Sequence, residues 1–184
     1  YKELTDIEKY FPEAKAYGNT VIQIAADGPD TELQSIMQAF CSAIFGATRY
    51  IRLTSPYFIP NETILNGLKT AALSGIKVQI LLPQNPDHKL VFWAAHSYLQ
   101  ELLTCGVEIY MYKDGFLHAK VMTVDDSLAI VGTANMDQRS FSLNFEVNAV
   151  IYDAEVVKRL NADFNADLQK STLIKLSDFE NSSC

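Results

Sequence analysis

The sequence predicts an α/β fold, with a mixed, largely parallel β-sheet that is flanked by helices on both faces. Through the first two thirds of the 184-residue chain, short apolar runs alternate with amphipathic segments of helical period, as in βαβ units. One run, KVQILLP at 77–83, is almost continuously apolar, which is typical of a strand covered on both faces. In the last third no helical pattern separates the first two β-like runs, so an antiparallel hairpin is expected to join the sheet.

Proline, glycine and other turn residues mark the boundaries of the predicted elements. Residues 1–19 are polar and are predicted to be a linker, which leads into a single domain at 20–184. Strands are predicted at 20–26, 49–55, 77–83, 107–112, 118–124, 128–134 and 144–152. Helices are predicted at 31–47, from Asn61 or Glu62 to about Ala72, at 88–105 and at 154–169. Asp30 or Thr31 is expected to cap the first helix, and Gly75 to end the second.

The composition limits the classes of function. A formal net charge of −7 argues against binding of nucleic acid through bulk electrostatics, so an anionic substrate would need a local cationic site. No apolar run approaches the roughly 18 residues that cross a bilayer.

The three cysteines lack paired spacing, so no disulfide framework or zinc site is expected, and Cys41 and Cys105 are predicted to be small core residues. The chain opens at Tyr1 without a methionine, which predicts a piece of a longer protein.

One short stretch, HAKVMTVDDSLAIVGTANMD, concentrates polar side chains among residues that are otherwise core types. His118 and Lys120 are two residues apart on a predicted strand and therefore project to the same side. A two-residue turn at 126–127 would place Lys120 opposite Thr133 and His118 opposite Asn135. This register gathers the four side chains in one patch, which a slip of one residue would break.

A patch of this composition suits a phosphate group. Lysine supplies a positive charge, threonine and asparagine supply directional donors, and histidine can attack phosphorus or carry a proton near neutral pH. Glu146, on the next predicted strand, is available to hold the imidazole in one tautomer. Taken singly, a His-x-Lys pair, an aspartate such as Asp125 or a glycine such as Gly132 usually has only a structural role. The ordered set is what favours a catalytic function.

The ordered set, H-x-K-x4-D followed by x6-G-T-x-N, matches the HKD signature of the phospholipase D superfamily. Its residues here are His118, Lys120, Asp125, Gly132, Thr133 and Asn135. Thr133 stands where many members have serine, which keeps the hydroxyl. Longer stretches resemble the second half of bacterial cardiolipin synthases, over roughly residues 20 to 180. These stretches are PYFIPNE (56–62), GVEIYMY (106–112), GFLHAKVMTVDD (115–126) and GTANMDQRSFSLNFEVNAVIYD (132–153).

The resemblance implies a phospholipase D-like half, two of which form one active site. One histidine attacks the phosphodiester and becomes a phosphohistidine, while the other protonates the leaving alcohol; which role His118 takes stays open. The implied catalytic residues are His118, Lys120, Asp125 and Glu146, although the motif aspartate usually has a supporting structural role. Lys120, Thr133 and Asn135 would bind the phosphate, and Glu146 would orient the histidine. Neither a metal ion nor another cofactor is implied.

The resemblance also implies a reaction, the transfer of a phosphatidyl group between two phosphatidylglycerols to give cardiolipin and glycerol. Two alternatives remain open: a phospholipase D-type hydrolase of lipid or nucleic acid, or a segment that is inactive alone and serves in assembly. The implied partners are an anionic phospholipid such as phosphatidylglycerol, and either an N-terminal HKD half of the same protein or a second copy. No nucleic acid is expected. The full-length protein would act at the bacterial cytoplasmic membrane, with this segment soluble on the cytoplasmic side.

Overall fold

An eight-stranded sheet forms the centre of the fold in a computed structural model, which describes residues 10–11, 13, 15, 17–85 and 89–180, without the side chains of 89–96 and 179–180. The strands are β1 (Val21–Asp27), β2 (Tyr50–Thr54), β3 (Phe58–Ile59), β4 (Lys77–Pro83), β5 (Glu108–Tyr112), β6 (Val121–Val124), β7 (Leu128–Gly132), β8 (Met136–Asp137), β9 (Glu146–Tyr152) and β10 (Ser171–Leu173). The helices are α1 (Ser35–Phe45), α2 (Glu62–Leu73), α3 (Lys89–Thr104), α4 (Gln138–Ser142), α5 (Ala154–Gln169) and α6 (Ser177–Glu180). The strand order is β1-β9-β7-β6-β2-β4-β5-β10, and β3 pairs separately with β8.

The sheet is mixed, as predicted, but the expectation that it is largely parallel is wrong. Among the described strands, β2 pairs with β4 and β4 with β5 in parallel, whereas the other five pairings of this sheet are antiparallel. A parallel pairing needs a crossover, which α2 and α3 provide. The only helix of the described chain between β5 and β9 is the five-residue α4, which follows β8. Because no helix separates β6 from β7, and only α4 lies between β7 and β9, these strands pair as antiparallel neighbours.

Helices cover both faces of the sheet, as predicted. On one face α1, α2 and α3 pack against apolar strand residues such as Ile51 and Leu53. On the other face α5 packs against the sheet and contributes a buried amide, that of Asn161. Asn161 accepts a hydrogen bond from the Thr123 hydroxyl at 2.8 Å and donates one to the Tyr50 hydroxyl at 2.7 Å. The described helices are too short or too polar to cross a bilayer.

The first helix starts later than predicted. Thr31 does not cap it, because the Thr31 hydroxyl and backbone N–H both bond to Gly28 in a separate turn, which leaves α1 to begin at Ser35. The cap comes instead from the end of β1, where the Asp27 carboxylate accepts a hydrogen bond from the backbone N–H of Ile36 at 2.6 Å. A side chain thus reaches across nine residues of sequence to satisfy a buried amide of the first helical turn, which has no partner within the helix.

The other predicted helices lie close to their expected positions. The Asn61 side chain caps α2 by accepting from the Ile64 amide at 2.9 Å, and Gly75, with φ of +87°, follows the helix. α5 occupies its predicted range, and Asp153 caps it. α3 begins at Lys89, while residues 86–88 and most of the predicted linker lie outside the described residues. β3, β8, β10, α4 and α6 were not predicted.

The β6–β7 hairpin differs from its predicted register by one residue. The connecting loop has three residues, 125–127, and Asp125 adopts a left-handed conformation with φ of +52°. Val124 therefore lies opposite Leu128. The backbone carbonyl of Lys120 accepts a hydrogen bond from the Gly132 N–H at 3.2 Å, so Lys120 does not lie opposite Thr133. The predicted pairings of Lys120 with Thr133 and of His118 with Asn135 are wrong.

The two described cysteines differ in burial. Cys41 is 7% exposed in the core, as predicted, and burial raises the pKa of its thiol. Cys105 is only half-buried in the turn that follows α3, so its assignment to the core is wrong.

Candidate active site

His118 and Lys120 lie directly before β6, outside regular secondary structure. The imidazole of His118 is exposed and stacks on the ring of Phe116, with centroids 5.2 Å apart and an interplanar angle of 15°. The ammonium of Lys120 donates to the backbone carbonyl of His118 at 2.8 Å. Ala119 lines a cavity on the α5 side of the sheet, so its neighbours His118 and Lys120 project to the opposite face.

A turn at 133–136, directly after β7, carries the two other predicted phosphate ligands. Each of its four backbone N–H groups donates to a defined acceptor. These bonds run from Thr133 to the carbonyl of Val147 (3.0 Å), from Ala134 to Oδ1 of Asn148 (3.2 Å), from Asn135 to Oγ of Ser140 (3.1 Å) and from Met136 to Oγ of Ser55 (3.1 Å). The Thr133 amide continues the pairing of β7 with β9, whereas the amides of Ala134, Asn135 and Met136 are held by side chains from β9, from α4 and from Ser55, directly after β2.

The side chain of Asn135 faces a cavity of about 300 Å³ that Arg139 and Asn144 also line. Oδ1 of Asn135 is buried and has no hydrogen-bond partner within the described part of the chain. Because Oδ1 is an acceptor, it would pair with a donor group and not with a phosphate oxygen. Besides Asn135, the residues that line this cavity include the basic Arg139 and the acidic Asp137.

Thr133 and Glu146 line a neighbouring cavity of about 470 Å³. The Thr133 hydroxyl accepts a hydrogen bond from the Val147 amide at 2.9 Å, which anchors it to β9. A carboxylate oxygen of Glu146 accepts from the side-chain amide of Asn144 at 3.2 Å, and His118 is not its partner here. The orientation of His118 by Glu146 therefore stays a prediction.

The sheet brings most of the predicted residues to one edge. Lys120 bonds to Gly132, Gly132 lies opposite Asn148, and Glu146 is two residues from Asn148 on the same face. His118 lies two residues beyond Lys120, at the same end of the strands as Glu146 and the 133–136 turn. The predicted histidine, lysine, carboxylate and turn residues thus occupy a single edge, although not through the predicted register.

Asp125 is placed away from this edge. It follows β6 at the opposite end, five residues of extended chain from Lys120, or about 16 Å. Its carboxylate accepts hydrogen bonds from the backbone N–H groups of Thr48, Arg49 and Tyr50 and from the Thr48 hydroxyl, at 2.8–3.1 Å. Burial alone would raise the pKa of Asp125, but the hydrogen bonds from Tyr50, Thr48 and Arg49 hold it below its ordinary value. This geometry fits a structural role at the start of β2.

Sequence reasoning missed the residues that support the turn. Asn148 is 1% exposed, Ser140 is fully buried and Ser55 is 1% exposed. Asn148 could have been noticed from the sequence, because it is a polar residue in the middle of a largely apolar strand. The two serines could not have been noticed in this way, since their roles depend on contacts between distant segments. Within the described residues, no cluster of three or more His, Cys, Asp or Glu side chains could hold a metal ion.

Comparison with known proteins assigns the family. The family described as "Cardiolipin synthase, PLD-like domain" matches residues 40–168, and PLD denotes phospholipase D. The chain belongs to this family. The resemblance read from the HKD motif is thereby confirmed, and the fold agrees with it.

Curated relatives and solved structures agree with this assignment. The chain is 50% identical over 165 residues to a cardiolipin synthase of Oceanobacillus iheyensis, and 48% identical over 165 residues to the major cardiolipin synthase of Bacillus subtilis. Each match covers 90% of this chain but 34% of the relative, so the chain spans about a third of their length.

Among solved structures, the phospholipase D family member Nuc from Salmonella typhimurium superposes with a TM-score of 0.72 at 19% identity, covering 85% of this chain and 99% of Nuc. A phosphatidylserine synthase from Haemophilus influenzae gives a TM-score of 0.67 at 17% identity, covering 84% of this chain and 40% of the synthase. These two likenesses support the fold.

Proposed function

We propose that this chain supplies one HKD half of an enzyme that transfers a phosphatidyl group between two phosphatidylglycerols, giving cardiolipin and glycerol. The observation that carries the proposal is the identity of 48–50% with two proteins named cardiolipin synthase, over 90% of the chain. The placement of His118, Lys120, Glu146 and the 133–136 turn at one sheet edge supports it, because these residues include one of the two histidines and donors that the reaction needs.

The proposed reaction has two balanced steps. In the first, an imidazole nitrogen attacks phosphorus, a P–N bond forms, and the P–O bond to glycerol breaks as the leaving oxygen takes a proton from a second histidine. In the second, a glycerol hydroxyl of another phosphatidylglycerol loses its proton to that second histidine and attacks phosphorus, which breaks the P–N bond. His118 serves as one of the two histidines, and its exposed ring is accessible to a substrate.

Lys120, Thr133 and Asn135 are proposed to hold the phosphate. The Lys120 ammonium now bonds to the His118 carbonyl, from which it can turn to a phosphate oxygen beside the imidazole. Asn135 presents a carboxamide to the 300 Å³ cavity, where its N–H groups are donors for the same group. Positive charge and fixed donors stabilise the charge that develops on the transferred group. Glu146 is proposed to orient His118 once the site is complete.

A second HKD motif must complete this site, because the chain carries a single H-x-K sequence. We propose that it comes from an N-terminal half of the same protein or from a second copy of this chain. The span of about a third of the relatives' length supports the first source. Since the proposed substrates are phospholipids, the full-length protein is proposed to act at the bacterial cytoplasmic membrane.

Mass spectrometry of lipids tests the proposal directly. The complete gene product that contains this chain is incubated with phosphatidylglycerol vesicles, and cardiolipin, phosphatidic acid and glycerol are quantified. Cardiolipin and glycerol should form in equal amounts with the native protein, and neither should form with His118→Asn or Lys120→Met. Lys113→Met, which replaces an exposed lysine outside the proposed site, is the matched control and should remain active. Phosphatidic acid without cardiolipin would establish a hydrolase instead, and cardiolipin from His118→Asn would remove that residue from the mechanism.

A further inference from the structure

We propose that Asn148 is a positioning residue of this site, which sets the conformation of the 133–136 turn that carries Thr133 and Asn135. The inference rests on the proposed function for what the turn binds. The structural part of it, a side chain on β9 that holds the turn, can be tested without any substrate.

The contact that carries the inference lies between two buried groups. Oδ1 of Asn148 accepts a hydrogen bond from the backbone N–H of Ala134 at 3.2 Å, and the Asn148 side chain is 1% exposed. Only the oxygen of a carboxamide can accept from an N–H group, so this bond sets the orientation of the amide. The next residue after Ala134 is Asn135, so the bond acts on the backbone directly beside a proposed phosphate ligand.

Gly132 provides the space that Asn148 occupies. The two residues lie opposite each other on β7 and β9, and a Cβ atom built on Gly132 would overlap Oδ1 and Cα of Asn148 and the carbonyl oxygen of Val147. The backbone of Gly132 lies outside the left-handed region, so a side chain is excluded by the close approach of β9. The glycine of the HKD signature is therefore explained here as the partner of Asn148.

The two ends of the Asn148 amide differ in their hydrogen bonding. Nδ2 of Asn148 is buried and has no hydrogen-bond partner among the described residues. A buried donor without a partner is destabilising, so an amide at this position has a cost as well as a benefit. The benefit is the acceptor for Ala134, a buried N–H group outside the β ladder.

Amide hydrogen exchange of this chain, without lipid, measures the positioning. Asn148→Leu has a similar volume but no acceptor, so exchange at Ala134 and Asn135 should accelerate about tenfold or more, the factor for one lost hydrogen bond of ordinary strength. Asn148→Asp keeps an acceptor oxygen and should restore most of the protection. If Asn148→Leu does not fold, Asn148→Ser replaces it, because the serine hydroxyl is too short to reach Ala134.

Asn161→Leu is the matched control. Asn161 is also a buried asparagine, 9% exposed, and its amide makes two side-chain hydrogen bonds on the α5 face of the sheet. This substitution should lower global stability yet leave exchange at Ala134 unchanged, after correction for the unfolding equilibrium of each variant. A purely structural role of Asn148 would make the two variants behave alike.

The functional consequence is measured separately. In the complete gene product, Asn148→Leu should lower cardiolipin formation at least tenfold relative to Asn161→Leu. Its kcat/KM should fall more than its kcat. Normal exchange at Ala134 in Asn148→Leu would overturn the inference, and so would equal acceleration in Asn161→Leu. Accelerated exchange with unchanged cardiolipin formation would also overturn the role in the site. If the native protein forms no cardiolipin while exchange responds as described, the proposed function fails and the support of the turn stands.

Discussion

Replacing Asp125 with asparagine is expected to destabilise the protein at a point remote from the chemistry. One carboxylate oxygen accepts from the N–H groups of Arg49 and Tyr50, and the other accepts from the N–H and the hydroxyl of Thr48. In Asp125→Asn, one of these oxygens becomes an NH₂ group. If the oxygen that faces Arg49 and Tyr50 is replaced, two hydrogen bonds are lost and the NH₂ group faces two N–H donors. If the other oxygen is replaced, the Thr48 N–H loses its acceptor, whereas the Thr48 hydroxyl can turn and accept from the NH₂ group. In either orientation the remaining bonds go to a neutral oxygen and are weaker.

The magnitude follows from these lost and weakened bonds. A hydrogen bond to a charged acceptor contributes about 1.5–3 kcal/mol, and the value is discounted here because Asp125 is only half-buried. A loss of about 2–4 kcal/mol in the free energy of unfolding is expected at pH 7. In a chain of this size each kcal/mol lowers Tm by about 2–4 °C, so Tm should fall by about 4–16 °C.

Urea unfolding as a function of pH provides the assay. Hydrogen bonding lowers the pKa of Asp125 in the folded state, so the stability from its charged form is fully present above the unfolded-state pKa. That stability is lost as the pH falls through the lowered folded-state pKa. The difference between the native protein and Asp125→Asn should therefore be constant near neutral pH and shrink below about pH 4.

Asp126→Asn is the matched control for this experiment. Asp126 is exposed and bonds only to the side chains of Arg49 and Tyr50, so its replacement should have a much smaller effect. Turnover per folded molecule should fall far less in Asp125→Asn than in His118→Asn. Equal stability of Asp125→Asn and the native protein would refute the reasoning, as would a loss of turnover without a loss of stability.

Three further predictions concern the packing around the site and the core. Gly132→Ala should lower the free energy of unfolding by more than about 2 kcal/mol, since the added methyl group meets the backbone of β9; chemical denaturation measures it. Thr133→Val should lose about 1 kcal/mol because its hydroxyl bond to Val147 is removed, whereas Thr133→Ser should be close to native in the same assay. The Cys41 thiol, whose pKa is raised by burial, should react with iodoacetamide far more slowly in the folded protein than in urea; equal rates would contradict its burial.

Hydrophobic periodicity predicted the elements whose formation depends on local sequence. The run KVQILLP became β4 over its full length, and the amphipathic segment at 154–169 became α5. The start of α1 was not predictable in the same way, because the cap is supplied by Asp27 on another element. The parallel share of the sheet was overestimated, since β1-α1-β2 and β9-α5-β10 also alternate strand and helix, yet β1 and β10 pair antiparallel with β9 and β5.

The ordered motif predicted which residues gather at the site, but not the contacts that hold them. His118, Lys120, Glu146 and the 133–136 turn lie at the same end of the central strands, but the hairpin register on which the predicted patch depended is wrong. The register was missed by one residue because Asp125 leaves the hairpin to bond with residues more than 70 positions earlier in the chain. The turn is likewise held by Ser55, which is 81 positions from Met136, and no local sequence pattern predicts such a contact.

Exchange of the headgroup with labelled glycerol tests the central claim most directly. The complete gene product is incubated with unlabelled phosphatidylglycerol and deuterated glycerol, and label in phosphatidylglycerol is followed by mass spectrometry. A covalent phosphatidyl-histidine can be attacked by glycerol as well as by a second lipid, so label should enter with the native protein and not with His118→Asn. Incorporation at the native rate in His118→Asn would contradict the account, as would cardiolipin formation by the native protein with no glycerol exchange.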